Sequence, residues 1–169
     1  MRIFIKNQYF VKIFALLWVS TSLLFLEACH QKIKSYELLD GSEVSIPNSK
    51  GWTLVNYWAA WCDPCLKEIP QLNELSQKLP APLVAVVGIY FDPIDEVDLR
   101  SFIKKIDVKY RVFKPNMGSL PVPVPQMLPA NYLVNSEGKI FGPLLGPQTK
   151  QSILEEIRKY SHNNSSDQM

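Results

Sequence analysis

Hydrophobic residues recur along this chain in patterns that predict alternating strands and helices. Residues 53–58 and 83–91 are compact apolar runs rich in β-branched side chains, as expected of strands buried on both faces. Between them, residues 64–79 carry leucines and an isoleucine at three- and four-residue spacing, which predicts an amphipathic helix with Pro70 inside it. A second helix is predicted over residues 95–106, with Asp95 as its N-cap.

Shorter alternating segments predict a β-hairpin on each side of these elements. The first covers residues 36–46 and turns at Asp40-Gly41, a dipeptide that favours tight hairpin turns. The second pairs residues 131–135 with residues 139–144 across Glu137-Gly138.

Two further elements complete the predicted order: a short strand or extended stretch over residues 108–113 and a closing helix over residues 148–160. Helices that alternate with buried strands imply parallel pairing, and the closing hairpin adds antiparallel strands. We therefore predict an α/β fold with a mixed central β-sheet, helices on both of its faces and an N-terminal β-hairpin.

The first 28 residues have the composition of an export leader. Residues 1–12 carry three positive charges, and residues 13–26 form an uncharged, mainly apolar run of 14 residues, shorter than the roughly 20 that a bilayer-spanning helix needs. The run ends in Leu26-Glu27-Ala28-Cys29, which resembles a bacterial lipoprotein signal. We predict that Cys29 becomes the lipidated N-terminus of an extracytoplasmic, membrane-anchored protein; an uncleaved N-terminal anchor is the alternative.

Charge is balanced once the leader is set aside. The chain has 169 residues with 18 Lys+Arg and 16 Asp+Glu, and the leader holds three of the basic and one of the acidic residues. Fifteen of each remain, so the net charge of +2 belongs to the leader. Nucleic-acid binding requires a basic surface, and we predict no nucleic-acid partner.

Cys62 and Cys65 follow the first buried strand directly and open the first predicted helix. Unpaired backbone N–H groups at a helix N-terminus stabilise a thiolate, and a second thiol one turn later can close a disulfide. We predict that Cys62 attacks and Cys65 resolves during disulfide exchange with another protein. Asp63 places a negative charge near Cys62 and should favour a reducing character.

Other roles fit this Cys-x-x-Cys pair less well. Half of a zinc site would need further ligands, and Cys29, His30 and His162 lie near the chain ends. An inert structural disulfide is compatible with export, but a bridge across so short a loop stabilises little. A copper-relay domain would need ligands that only the loop with Met117 and Met127 could supply.

The chain resembles the thioredoxin superfamily in its active-site segment, VNYWAAWCDPCLKEIP at residues 55–70. More narrowly, it resembles the TlpA/ResA-like branch, which includes thiol-disulfide proteins of cytochrome c maturation. The resemblance implies a thioredoxin-like fold with Cys62 and Cys65 as a redox-active disulfide and no bound cofactor, since the dithiol is the redox group. Asn56 stands where cytoplasmic thioredoxins carry a buried Asp. Glu68 matches an acidic residue of the branch and is a candidate proton acceptor for Cys65; a solvated helix charge is the alternative.

A second segment, PANYLVNSEGKI at residues 129–140, lines up with the family pattern Pro-x-x-Phe-Leu-Ile-Asp-x-x-Gly-x-Ile. The resemblance implies that Pro129 is a cis-proline facing the disulfide. The Leu128 backbone would then lie beside Cys62, where an extended client strand can pair with it. Leu128 departs from the commoner Thr or Val, and we expect Trp61, next to Cys62, to line the docking surface.

Together these features predict an exported, membrane-tethered thiol-disulfide oxidoreductase that reduces or rearranges disulfides in client proteins through Cys62 and Cys65. One possible client is the haem-site dithiol of apocytochrome c, and a reductase would need a membrane-spanning electron donor. Two alternatives stay open: a dithiol oxidase or isomerase, and a non-enzymatic adaptor or metallochaperone of the same fold. The predicted boundaries are a signal peptide at 1–28, a tether and hairpin at 29–50, a thioredoxin-like domain at 51–161 and a flexible tail at 162–169.

Overall fold

A computed structural model of the chain describes residues 33–78 and 83–166. The predicted signal peptide and Cys29 therefore lie outside the described residues. None of the helices in the described part is long and apolar enough to cross a membrane. The elements, in chain order, are β1 (Lys34–Glu37), β2 (Glu43–Ile46), β3 (Trp52–Trp58), α1 (Asp63–Lys78), β4 (Val84–Tyr90), α2 (Glu96–Lys105), β5 (Arg111–Val112), β6 (Ala130–Val134), β7 (Ile140–Leu145) and α3 (Lys150–Ser166).

A five-stranded sheet in the order β5-β4-β3-β6-β7 forms the centre, and β1 and β2 form a separate two-stranded sheet. Strand β3 pairs in parallel with β4 and antiparallel with β6. The predicted mixed sheet and N-terminal hairpin are confirmed. In the register, Asn56 at the middle of β3 lies opposite Gly88 on β4 and Asn131 on β6.

Both faces of β3 are covered, which explains its nearly continuous apolar sequence. On one face, Leu54 packs against apolar side chains of α1 and α3, among them Leu72 and Ile153. On the other face, Tyr57 packs with residues of the first hairpin such as Val44. Because side chains alternate along a strand, Asn56 points to the same face as Leu54, toward α1.

The first hairpin turns at the predicted dipeptide. The Asp40 carboxylate accepts hydrogen bonds from the Ser42 backbone N–H at 2.9 Å and the Ser42 hydroxyl at 2.6 Å, and Gly41 adopts a φ of 81°. A positive φ favours glycine in such turns. The hairpin is joined to β5 because the Leu39 N–H donates to the Val112 carbonyl at 2.8 Å.

Two elements differ in extent from their predicted ranges. Strand β5 contains only two residues, because the Val108 N–H is bonded to the end of α2 at the Ile103 carbonyl rather than to a strand. Helix α3 continues to Ser166, beyond the predicted helix end at residue 160. Neither Pro nor Gly interrupts that segment, and adding residues to a formed helix costs little.

Candidate active site

Cys62 and Cys65 lie where β3 gives way to α1. The Leu66 N–H donates to the Cys62 carbonyl at 3.1 Å, which makes Cys62 the residue that caps the helix. The two cysteines form a disulfide with their Cα atoms 5.2 Å apart, and both are buried. The pair thus lies at a helix N-terminus directly after a strand that is buried on both faces, as the sequence predicted.

Backbone donors of the first turn reach the first sulfur. The Cys65 N–H donates to the Cys62 Sγ at 3.3 Å. In the reduced protein, such a donor, together with the positive end of the helix dipole, favours the thiolate form of Cys62. Asp63 lies between the cysteines but is exposed, so water surrounds its carboxylate.

Glu68 lies one helical turn after Cys65 and is buried, with 1% of its surface exposed. The alternative of a solvated helix charge is therefore wrong. Its Oε1 accepts hydrogen bonds from the Asn131 side-chain amide at 2.7 Å and the Gln148 backbone N–H at 2.8 Å, and its Oε2 accepts one from the Asn56 amide at 3.1 Å. Burial raises the pKa of Glu68 to about 7, and the three hydrogen bonds hold that rise in check.

Two of the residues around Glu68 were not identified from the sequence. Asn131 on β6 and Tyr110, just before β5, are buried, and the Tyr110 hydroxyl donates to Asn56 Oδ1 at 3.1 Å. Asn56 in turn donates to Asn131 Oδ1 at 3.0 Å. The available signal was an Asn in an otherwise apolar strand, since buried polar side chains require partners.

Pro129 and Leu128 lie at the start of β6. The Leu128–Pro129 peptide bond is cis, the isomer that the resemblance implies. Pro129 is buried and its carbonyl accepts a hydrogen bond from the Gly146 N–H at 3.1 Å. Leu128 is half-buried and packs against the apolar cluster that contains both cysteines. The fold thus brings Leu128, more than 60 positions away in sequence, to the cluster that contains the redox pair.

Trp61 is the most exposed aromatic side chain near the disulfide, with 64% of its surface accessible. Its indole N–H donates to the Asp92 carboxylate at 2.6 Å, which ties the ring to the loop after β4. Asp92 also lines a cavity of about 230 Å³ whose walls include Phe91, Leu99 and Met117. A large apolar ring held in place beside a disulfide is suited to contact a client chain.

Within residues 33–78 and 83–166, no group of three or more His, Cys, Asp or Glu side chains is arranged to hold a metal ion.

Comparison with known proteins finds one matching family model and several similar oxidoreductases. The AhpC/TSA family model matches residues 29–141. The thiol-disulfide oxidoreductase ResA of Bacillus thuringiensis subsp. konkukian is 30% identical over 127 residues, which cover 72% of this chain and 70% of that protein. The sporulation thiol-disulfide oxidoreductase A of Bacillus subtilis is 27% identical over 120 residues, covering 69% of this chain and 73% of that protein.

Solved structures show the same fold. StoA from Bacillus subtilis matches with a TM-score of 0.63 at 24% identity, covering 76% of this chain and 98% of that one. The exposed lipoprotein thioredoxin of Streptococcus pneumoniae matches with a TM-score of 0.65 at 20% identity, covering 76% and 99%.

Proposed function

We propose that this chain, which belongs to the AhpC/TSA family and is a thiol-disulfide oxidoreductase of the ResA type, reduces or rearranges disulfides of client proteins outside the cytoplasm. The observation that carries the proposal is the Cys62–Cys65 pair at the N-terminus of α1, with the Cys65 N–H directed at the Cys62 sulfur. This geometry supports Cys62 as the attacking thiolate.

The electrons pass in two thiol exchanges. The Cys62 thiolate attacks one sulfur of the client disulfide, and the other client sulfur leaves as a thiolate, so that a mixed disulfide forms. Cys65 then loses its proton and attacks the Cys62 sulfur, which releases the second client thiolate. The client has gained two electrons, and the protein holds the Cys62–Cys65 disulfide.

Glu68 is the proton acceptor for Cys65 in this scheme. It is buried one turn after Cys65, and its pKa of about 7 leaves both protonation states populated at neutral pH. A group with such a pKa can take up a thiol proton and return it within one cycle. No other carboxylate is buried in the part of the chain that the structure describes.

Client binding uses the surface formed by Trp61 and Leu128. An extended client strand would pair with the backbone at Leu128, and the exposed Trp61 ring next to Cys62 would contact it. The adjoining loop presents further apolar surface, since Met127 and Val124 are 60% and 59% exposed.

A trapping experiment tests the exchange reaction. A Cys65→Ala variant should stall as a mixed disulfide between Cys62 and a peptide that carries a disulfide, detected by mass and cleaved by dithiothreitol. A Cys62→Ala variant is the matched control and should trap nothing. An adduct on Cys65 instead of Cys62 would contradict the assigned roles. Full biological activity in cells of a protein with both cysteines changed to Ser would favour a non-enzymatic adaptor.

The direction of electron flow follows from the state of the pair in cells. A reductase supplied by a membrane-spanning electron donor should be found mainly as the dithiol, measured by alkylation of free thiols in acid-quenched cells. A pair found mainly as the disulfide would instead identify a dithiol oxidase.

The haem-site dithiol of apocytochrome c is the client that we propose, in line with a reducing character. A peptide with a Cys-x-x-Cys-His segment in disulfide form should be reduced several-fold faster than the same peptide with Ala in place of His. Equal rates would exclude recognition of this segment.

Lipid anchoring at Cys29 is supported by the leader pattern that precedes it. Mass spectrometry of the membrane-extracted protein should find the chain starting at a lipidated Cys29, and a Cys29→Ser variant should lose the lipid. An unmodified Cys29 in the extracted protein would overturn this part of the proposal.

A further inference from the structure

The Tyr110 hydroxyl stands at the end of a buried hydrogen-bond chain that leads to Glu68. Tyr110 lies just before β5, and its hydroxyl donates to Asn56 Oδ1 at 3.1 Å. Its side chain packs in the apolar cluster between the sheet and α1. Tyr110 is remote from the cysteines in sequence, and neither its burial nor its residue type points to the reaction.

That hydroxyl favours one orientation of two amides, because Asn56 Oδ1 is the one acceptor that the described residues offer to its proton. With its carbonyl oxygen taken by Tyr110, Asn56 directs its NH₂ group at Glu68 Oε2, 3.1 Å away, and at Asn131 Oδ1, 3.0 Å away. Because the Asn131 oxygen accepts there, the Asn131 NH₂ group faces Glu68 Oε1 at 2.7 Å. The hydroxyl donor at one end and the carboxylate acceptor at the other thus favour the same orientation of the whole chain.

The orientation matters because an amide occupies nearly the same volume when its oxygen and nitrogen are exchanged. A reversed Asn56 would present its oxygen, an acceptor, to the Glu68 carboxylate. Two acceptors that face each other in a buried site disfavour the ionised carboxylate and favour the protonated acid.

We infer that Tyr110 is a positioning residue of the redox site. Its hydroxyl fixes Asn56 and Asn131 so that both oxygens of Glu68 face only hydrogen-bond donors, which keeps the carboxylate available to accept the Cys65 proton. The inference rests on the proposed role of Glu68, and it names a residue that acts through the amides and does not touch the sulfur atoms.

The other groups around Glu68 do not replace the effect of the Tyr110 hydroxyl on the two amides. Strands β3 and β6 present the neutral amides of Asn56 and Asn131, and the segment before α3 presents the Gln148 N–H. None of the ion pairs among the described residues includes Glu68. On α1 itself, Lys67 is exposed. Burial and, to a lesser degree, the Glu68 charge raise the pKa of Tyr110, so its hydroxyl remains a donor at physiological pH.

A Tyr110→Phe variant tests the inference because it removes only the hydroxyl. The pKa of Glu68, followed by the ¹³C signal of its carboxyl group in both redox forms, should rise by about one unit. The midpoint of the pH profile for disulfide exchange with a disulfide-bearing peptide should move up by the same amount. Below that midpoint the rate should then fall about tenfold.

Tyr57→Phe is the matched control. Tyr57 follows Asn56 in β3 and is equally buried, but its hydroxyl donates to the Val122 carbonyl at 3.3 Å on the other face of the sheet. This variant should leave the pKa of Glu68 unchanged. In a Glu68→Gln background, where the titrating group is gone, Tyr110→Phe should shift no midpoint.

An unchanged or lowered pKa of Glu68 in folded Tyr110→Phe protein would overturn the inference. If that variant does not fold, the wild-type protein gives a second measurement. In that protein the hydroxyl proton of Tyr110 should be protected from exchange with solvent and should shift as Glu68 titrates, whereas a hydroxyl proton that exchanges freely and does not respond would overturn the inference. Failure of the wild-type protein to exchange disulfides would contradict the proposed function but would leave these pKa measurements intact.

Discussion

Glu68 is a carboxylic acid held inside the protein by donors from three separate segments. Asn56 comes from β3, Asn131 from β6 and Gln148 from the turn before α3. Desolvation is the largest influence on its pKa and raises it; the hydrogen bonds lower it without cancelling the effect. The carboxyl group therefore titrates near neutrality, in the range where a proton acceptor for a thiol is useful.

This raised pKa predicts that stability declines as pH rises. The folded protein binds the Glu68 proton more tightly than the unfolded chain, because its pKa is about 7 instead of 4.5. Stability from this group is thus complete below about pH 4.5 and is lost toward pH 7. Urea unfolding of the disulfide-bonded protein should show a free energy of unfolding lower by about 2 kcal/mol at pH 8 than at pH 5.

Two variants separate Glu68 from the other carboxylates. Glu68→Gln should remove most of the decline between pH 5 and 8. Glu74→Gln on the same helix should keep it, because hydrogen bonds from Lys150 and Lys78 lower the pKa of Glu74 to about 2, outside this range. A decline that survives in Glu68→Gln would show that another group is responsible.

At the scale of the element, strand β4 leaves no room for a side chain at Gly88, because the Trp58 and Tyr110 rings lie against that position. A Cβ atom at Gly88 would come within 2.9 Å of both the Trp58 Nε1 and the Tyr110 Cε2 atoms. Both rings are buried, so neither can move aside easily. The absence of a side chain at Gly88 is thus what lets Tyr110 reach Asn56.

We predict that Gly88→Ala destabilises the protein by about 1–3 kcal/mol through overpacking, measured by urea unfolding. Gly118→Ala is the matched control, since a Cβ atom there meets nothing within 4 Å. It should leave the free energy of unfolding within about 1 kcal/mol of the wild-type value. Equal stabilities of the two variants would mean that the rings at Gly88 yield without cost.

The elements themselves were largely predictable, and their ends were less so. The apolar runs of β3 and β4 and the helical spacing in α1 can be recognised in the sequence, because buried residues recur with the period of a strand or a helix. Strand β5 occupies only Arg111 and Val112 of the predicted short strand or extended stretch at residues 108–113, because Val108 and Tyr110 are apolar for packing and do not belong to a strand.

At the scale of the whole molecule, the redox pair is part of the core. Cys62 and Cys65 share an apolar cluster with Trp58, Leu99 and Val112, which come from three other elements or their ends. The long segment between β5 and β6 returns to this cluster through Leu128, and Val122 within it is buried and accepts the Tyr57 hydroxyl. The position of Leu128 beside the cysteines therefore depends on the entire sheet.

Balanced charge over the same molecule predicts a weak dependence of client exchange on salt. Residues 29–169 carry fifteen basic and fifteen acidic side chains, so there is no strong net field to steer a client. The rate of exchange with a neutral disulfide peptide should change less than about twofold between about 0.05 and 0.5 M NaCl, measured by stopped-flow fluorescence. A steep fall with salt would show that a local charge patch guides the encounter.

The linear sequence specifies the order of strands and helices, the placement of Cys62 and Cys65 at a helix start, and the resemblance that points to Pro129 and Glu68. These depend on periodicity and on residues adjacent in the chain, which a linear pattern records. The burial of Glu68 and the hydrogen bond from Trp61 to Asp92 depend on the tertiary fold, which also brings Tyr110 and Asn131 into the network around Asn56. The hydrogen bonds responsible join residues 31 to 75 positions apart, and such partners are chosen by how the sheet and helices pack, which no local pattern encodes.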